Sequence, residues 1–174
     1  MKIIKTVAEM QKLALEWKHS GLEVALVPTM GALHSGHLSL AKRAREQVSS
    51  RGKVVVSVYV NPLQFSPNED FNKYPRDLDG DARKCESAEV DVVFAPSCAE
   101  MYPFEGTDNA EDQKQSTYVQ EYFLSKPMEG NRRPIHFRGK TTLATKYREM
   151  LIFHRLLYNK LIHIHLHTIY GISR

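Results

Sequence analysis

A chain of 174 residues, 42% hydrophobic and 25% charged, has the composition of a soluble globular protein that can bury one core. Its 24 Lys and Arg against 20 Asp and Glu give a net charge of +4, with the excess falling after Lys126; this favours an anionic ligand, while residues 1–100 lack the basic stripe with interleaved aromatics that a nucleic-acid surface needs. Two cysteines, Cys85 and Cys98, with no CxxC pair, speak against a disulfide framework or a thiolate metal site, and with neither a leader pattern nor a membrane-length apolar run the expected location is cytoplasmic, with no membrane partner.

Thr6 and Glu9 have the spacing of a capping box ahead of Val7, Met10, Leu13, Ala14 and Trp17, so the first element is predicted to be a helix that stops at Gly21. Leu22 to Val27 reads as a short strand, and Pro28-Thr29-Met30-Gly31 must turn the chain. From His34 to about Ser50, Leu38, Ala41, Ala44 and Val48 recur at helical intervals opposite Lys42, Arg43, Arg45 and Glu46. Val54 to Val60 is almost continuous in β-branched residues, which suits a strand covered on both faces, and Asn61-Pro62 ends it.

Residues 61–75 read as loop, Leu78, Ala82, Cys85 and Glu89 leave a weaker helical stripe, and Asp91 to Ala95 reads as another strand. This β-α-β-α-β order predicts an α/β fold with a doubly wound parallel sheet. Thr117 to Phe123 resembles a further strand, followed by a basic loop around Arg132, Arg133 and Pro134.

The segment Met30-Gly31-Ala32-Leu33-His34-Ser35-Gly36-His37 joins a strand end to a helix start, where open α/β sheets bind ligands. Helix-start N–H groups and the helix dipole favour an anion, and Gly31 and Gly36 allow a phosphate close to the backbone. His34 and His37, three apart, share a face, and paired imidazoles can hold phosphate oxygens as charge shifts during displacement at phosphorus. The H-x-G-H spacing is neither a Walker A loop nor G-x-G-x-x-G. The bland alternatives are a capping histidine or a zinc pair, the latter weakened by the lack of HExxH or a nearby cysteine.

Asn61 and Gln64 follow the second long apolar run, whose carboxyl end is expected to open into the same crevice, with Phe65 as an apolar wall. Alone, this segment reads more readily as an Asn-Pro turn with a solvated Gln, and the histidine motif on the adjacent strand end reverses that preference.

Taken together, PTMGALHSGH, VVVSVYVNPLQFSPNEDFNKYPRDLDGD, DVVFAP, MYP and EGNRRPIHFRG resemble the pantothenate synthetase (pantoate–β-alanine ligase) family, in order and spacing, over roughly residues 1–145. The resemblance implies a Rossmann-like fold of the histidine-motif nucleotidyltransferase type, usually dimeric. It also implies ATP- and Mg2+-dependent condensation of pantoate with β-alanine through a pantoyl adenylate. Residues Met30, Gly31, Ala32, Leu33, His34, Ser35, Gly36 and His37 would contact ATP, with His37 the matched catalytic histidine and His34 assisting; Gln64, and less securely Asn61, would hold pantoate and β-alanine. No resident metal site is implied. Phe65, Tyr74, His136 and Arg138 match near-pocket positions, the last two on a loop where Ile135 replaces the family's usual Gly.

Downstream, the family's G-x-K-D-x-Q-Q and Ser-Ser-Arg-Asn segments do not occur in this sequence. The expectation is therefore a nucleotide- and pantoate-binding domain over residues 1–145, truncated before the rest of the ATP site, and an atypical tail over 146–174 of frameshifted or chimeric character. In that tail His163, His165 and His167 alternate with apolar residues. Because donors to the triphosphate are missing, turnover by this chain alone is in question, and the alternative reading is a non-catalytic nucleotide-binding fragment.

Overall fold

Short runs of branched residues pair in parallel to build the centre of the molecule. The computed structural model describes residues 1–66, 69, 71–102 and 134–151. Its strands are β1 (Lys2–Ile4), β2 (Val24–Thr29), β3 (Lys53–Val58) and β4 (Val92–Phe94), all parallel, in the order β1-β4-β3-β2. The helices are α1 (Val7–His19), α2 (Ser35–Gln47), α3 (Leu78–Ser87), the short α4 (Cys98–Met101) and α5 (Pro134–Leu151). No described helix is long and apolar enough to cross a membrane.

Strand periodicity divides the core into two layers. Leu26, Val55, Val92 and Phe94 point to one face, against Met10 and Ala14 of α1, Met101 of α4 and Leu143 and Tyr147 of α5. Ala25, Val27, Val54, Val56 and Val93 point to the other, against Ala41 and Ala44 of α2 and Cys85 of α3. Burial on both faces explains why β3 carries no polar alternation. The connection β1-α1-β2 runs across the sheet in one direction, and β2-α2-β3-α3-β4 steps back in the other. Crossovers of one hand then place α1 opposite α2 and α3, which is the doubly wound arrangement expected from the sequence.

Thr6 caps α1, its hydroxyl accepting the Glu9 N–H at 3.3 Å, while the Glu9 carboxylate pairs with Lys2 at 2.7 Å. At the amino ends of the strands, Asp91 accepts the Val54 N–H (2.8 Å) and faces Arg45 and Lys53. Burial works to raise its carboxyl, but the Val54 N–H and the two cations outweigh it and hold the group below the usual carboxylate range.

Two sequence expectations are corrected. The first element is β1, not a helix: three residues are too few to show alternation, and β1 exists because β4 offers it a parallel partner, Ile3 beside Val93. His136 and Arg138 lie on α5 rather than on a loop, because Pro134 at its first position needs no N–H acceptor and starts the helix instead of breaking a chain turn. The helix runs past residue 145 to Leu151. The expected strand at Thr117 to Phe123, the loop at Arg132 and Arg133, and the tail histidines His163, His165 and His167 lie outside the described residues.

α5 packs on the 3-10 turn Pro62–Gln64 through Gly139, where an added Cβ would fall 2.1 Å from the Leu63 carbonyl oxygen and 2.7 Å from the Gln64 nitrogen. Gly139→Ala, which helix propensity alone would favour by about 1 kcal/mol, is therefore expected to destabilise by about 2 kcal/mol in urea unfolding, because backbone, not a pliant side chain, stands in the way. A neutral or stabilising result would show that the helix does not lie this close.

Candidate functional site

The carboxyl ends of β2 and β3 meet at Thr29 and Val58, so the segments that follow them leave the sheet side by side. Thr29 fastens the pair: its hydroxyl donates to the Ser57 carbonyl (2.6 Å) and accepts the Gly31 N–H (3.2 Å), and its carbonyl accepts the Tyr59 N–H (3.1 Å). Two residues in the left-handed region then reverse the chain, Gly31 at φ 81° and Ala32 at φ 50°. For Gly31 this costs little, whereas Ala32 keeps such a backbone at a cost of about 1 kcal/mol or more, which a surrounding contact must offset. That contact is Asp81 of α3, buried to 1% exposure, whose two oxygens accept the N–H groups of Ala32 (2.8 Å) and Leu33 (2.7 Å).

His34 is the N-cap of α2, and the cap is reciprocal. The His34 Nδ1 accepts the Gly36 N–H at 3.1 Å, and the His37 Nδ1 accepts the His34 N–H at 3.4 Å. An imidazole nitrogen that accepts carries no proton, so both neutral rings hold their proton on Nε2. The ring centroids stand 4.1 Å apart, which sets two Nε2–H donors beside each other at the positive end of a thirteen-residue helix. Burial lowers the His37 pKa from its ordinary value of 6.5, the neighbouring His34 lowers it further, and Asp81 opposes them. The neutral donor form is thereby favoured near pH 7.

The chemistry such a place suits is recognition of an anion by neutral donors and helix-start N–H groups. His34 and Ser35 are exposed, and Gly36 and His37 are half-buried. Gly31 and Leu33 are buried, and the N–H groups of Ala32 and Leu33 are turned to Asp81. Met30 is half-buried beside Gln64, its sulfur 3.7 Å from the Gln64 amide nitrogen.

Asn61 is fully buried and acts as a hub. It donates to the Gln64 Oε1 (3.0 Å) and the Gly139 carbonyl (3.2 Å), and its Oδ1 accepts from the Tyr102 hydroxyl (3.1 Å) and the Leu63 N–H (3.3 Å). With its oxygen engaged by Asn61, the Gln64 amide turns its NH2 toward Met30 and the histidine loop. The His136 ring nitrogen Nδ1 donates to the Gln64 carbonyl at 3.0 Å, so α5 backs this wall. Phe65 stands edge-on to Phe71 and Tyr74, with centroids 5.2 and 5.9 Å apart, and burial together with the Asp81 charge raises the Tyr74 hydroxyl pKa. Arg138 lies on α5, half-buried.

Thus His34, His37, Met30 and Gln64 gather at one end of the sheet, with Asn61 behind them rather than facing outward. Asp81 and Lys84 were not singled out from the sequence. Their signal is an acidic residue on the apolar stripe of α3, between Leu78 and Cys85, where a solvated charge has no reason to sit. Among the described residues no group of three or more His, Cys, Asp or Glu side chains is placed to hold a metal ion.

Comparison with known proteins shows the family of the chain. The family model described as Pantoate-beta-alanine ligase matches residues 2–158. A pantothenate synthetase from Fervidobacterium nodosum is 50% identical over 146 residues, 84% of this chain and 48% of that protein. One from Thermotoga petrophila is 45% identical over 160 residues, 92% of this chain and 53% of that protein. The solved pantothenate synthetase from Thermus thermophilus superposes with a TM-score of 0.69 at 42% identity, covering 87% of this chain and 49% of that one. A pantoate-beta-alanine ligase from Francisella tularensis, complexed with beta-gamma ATP and beta-alanine, gives a TM-score of 0.72 at 32% identity, covering 87% of this chain and 53% of that one. The chain spans about half the length of the curated relatives it matches. With the family model covering all but its ends and a Rossmann-like sheet in common with the solved relatives, this chain belongs to the pantoate-beta-alanine ligase family.

Proposed function

We propose that this chain supplies the nucleotide- and pantoate-binding part of an ATP-dependent ligase that condenses pantoate with β-alanine. The observation that carries the reading is the reciprocal histidine cap, two neutral imidazoles whose only remaining protons are donors at a helix start. In the reaction a pantoate carboxylate oxygen attacks the α-phosphorus of ATP, the bond to the β-phosphate breaks, and pyrophosphate leaves. The β-alanine amine then attacks the acyl carbon of the pantoyl adenylate and expels AMP. His34 and His37 would hold phosphate oxygens as their charge grows, Ser35 would bring its backbone N–H alongside, and Gly36, its own N–H held by His34, would let the phosphate approach the backbone closely. The Gln64 NH2 would orient pantoate and then β-alanine, with Asn61 fixing its direction. The solved Francisella relative, complexed with a nucleotide and β-alanine, supports the reading.

In this reading Mg2+ enters with the triphosphate, which supplies its oxygens. A cytoplasmic setting, a homodimer and the absence of a nucleic-acid partner belong to the same reading. The half-length match to its relatives keeps a second reading in play, nucleotide binding without turnover.

Calorimetry with ATP and pantoate, joined to a pyrophosphate-release assay, separates these. Binding with pantoate-dependent release supports the ligase, binding alone supports the fragment, and no binding overturns both. His34→Asn keeps an acceptor for the Gly36 N–H but loses the Nε2–H donor, so it is expected to retain helicity while weakening ATP about tenfold or more, and pairing it with His37→Ala should weaken binding about a hundredfold. Unchanged affinity in the double variant would remove the imidazoles from the phosphate site.

The cap is also pH-sensitive, with a definite sign. Folded His37 resists protonation, whereas the unfolded residue takes a proton near its ordinary value of 6.5. Its contribution to stability is thus complete above about pH 6.5 and lost as pH falls from there through the lower folded value. Imidazole NMR should give a His37 midpoint below 6.5, and the urea midpoint of the parent should fall more between pH 7.5 and 5.5 than that of His37→Gln. Equal falls would contradict the assignment.

A further inference from the structure

Gly31 and Ala32, consecutive residues at φ 81° and 50°, reverse the chain in a turn whose next two N–H groups converge on one carboxylate, as turns that bind anions do. Here the anion is internal. Asp81 fills the concavity with the N–H groups of Ala32 and Leu33 at 2.8 and 2.7 Å, and an added Cβ at Gly31 would meet its Oδ2 at 3.0 Å. One turn along α3, the Lys84 ammonium donates to the Leu33 carbonyl at 2.7 Å and lies 3.8 Å from the Asp81 carboxylate. One residue of the loop, Leu33, is therefore gripped at its donor by an anion and at its acceptor by a cation, immediately before the histidine cap. A carboxylate 1% exposed would be costly if unpaired; two N–H groups and an ammonium are what make it tolerable.

We propose that Asp81 and Lys84 are a positioning pair for the histidine loop: Asp81 stands as a built-in counter-anion that fixes the Gly31–Leu33 backbone, and Lys84 locks Leu33, so that His34 and His37 present their donors to a phosphate ligand. The proposal rests on the phosphate reading of the histidines and deepens it. Its consequence is a division of the loop. The N–H groups of Ala32 and Leu33 serve the internal carboxylate, and the ligand's phosphates are received only from residue 34 onward.

The test uses the full chain, with 15N amide spectra to verify the fold, hydrogen exchange at Ala32 and Leu33, and calorimetry with ATP. Asp81→Ala is expected to strip exchange protection from both amides and to weaken ATP about thirtyfold, while Lys84→Met, at a side chain already 45% exposed, weakens it about fivefold. Sodium formate, a carboxylate small enough for the vacated place, should restore protection and part of the affinity in Asp81→Ala and do nothing for Lys84→Met or the parent. Arg43→Ala, on the outer side of α2 with Glu46, should match the parent. A folded Asp81→Ala with parental protection or ATP affinity would overturn the proposal, as would loss of affinity that formate does not touch. Should Asp81→Ala not fold, Lys84→Met decides, with unchanged affinity and unchanged Leu33 protection refuting the pair. If the parent itself binds no ATP, the phosphate reading fails, and amide protection with its formate rescue still judges the pair on its own.

Discussion

Two imidazole nitrogens turned back onto their own helix organise the site. By accepting the Gly36 and His34 N–H groups, His34 and His37 satisfy donors that a helix start otherwise leaves without an acceptor, and in doing so they fix which ring nitrogen keeps the proton. Structure and chemistry are the same hydrogen bonds seen from two sides. An ordinary aspartate cap would steady the helix equally well, but would leave nothing protonated at its outer edge. Histidine is the side chain that can accept with one atom and donate with another some 2 Å away on a rigid ring, roughly the span across an imidazole.

The sheet provides the place for this. Reversal of the strand order after β2 sends α1 and α2 to opposite faces, and the loop between β2 and α2 comes out beside the one after β3. Both loops bring polar groups to this end of the sheet, His34 and His37 on one and Asn61 and Gln64 on the other, while Leu33 and Leu63 anchor them in the apolar layers. Neither loop is self-supporting. One is tied to α3 through Asp81 and Lys84, the other to α5 through Asn61 and Gly139.

Much of this was legible in the sequence, and the rest was hidden for identifiable reasons. The order of strands and helices followed from β-branched runs alternating with helical stripes, and the histidine loop was visible because its parts are contiguous. β1 escaped because Lys2–Ile4 is defined by a partner ninety residues away in the chain, Lys2 beside Val92, rather than by its own pattern. α5 escaped because Arg-Pro reads as a break, although proline is at home in a first helical turn. Asn61 was read as facing a ligand; its type and position were right for a polar hub, but only coordinates show that Tyr102, Leu63, Gln64 and Gly139 consume its hydrogen bonds. Asp81 and Lys84 were masked by the ordinary charge of a surface helix, and only the place of Asp81 on the apolar stripe between Leu78 and Cys85 sets it apart from the acidic residues beside it.

The close seat of Gly139 against Leu63 bears on how the molecule is made. Every group that shapes the histidine loop has emerged once residue 84 has been synthesised, whereas the wall behind Gln64 needs a glycine more than fifty residues later. Chain emerging from a ribosome would therefore complete the two loops at this end of the sheet at different times, the first by local closure and the second only after a long loop has closed. A nascent chain stalled between those points would display a finished histidine turn beside an amide wall still lacking its support.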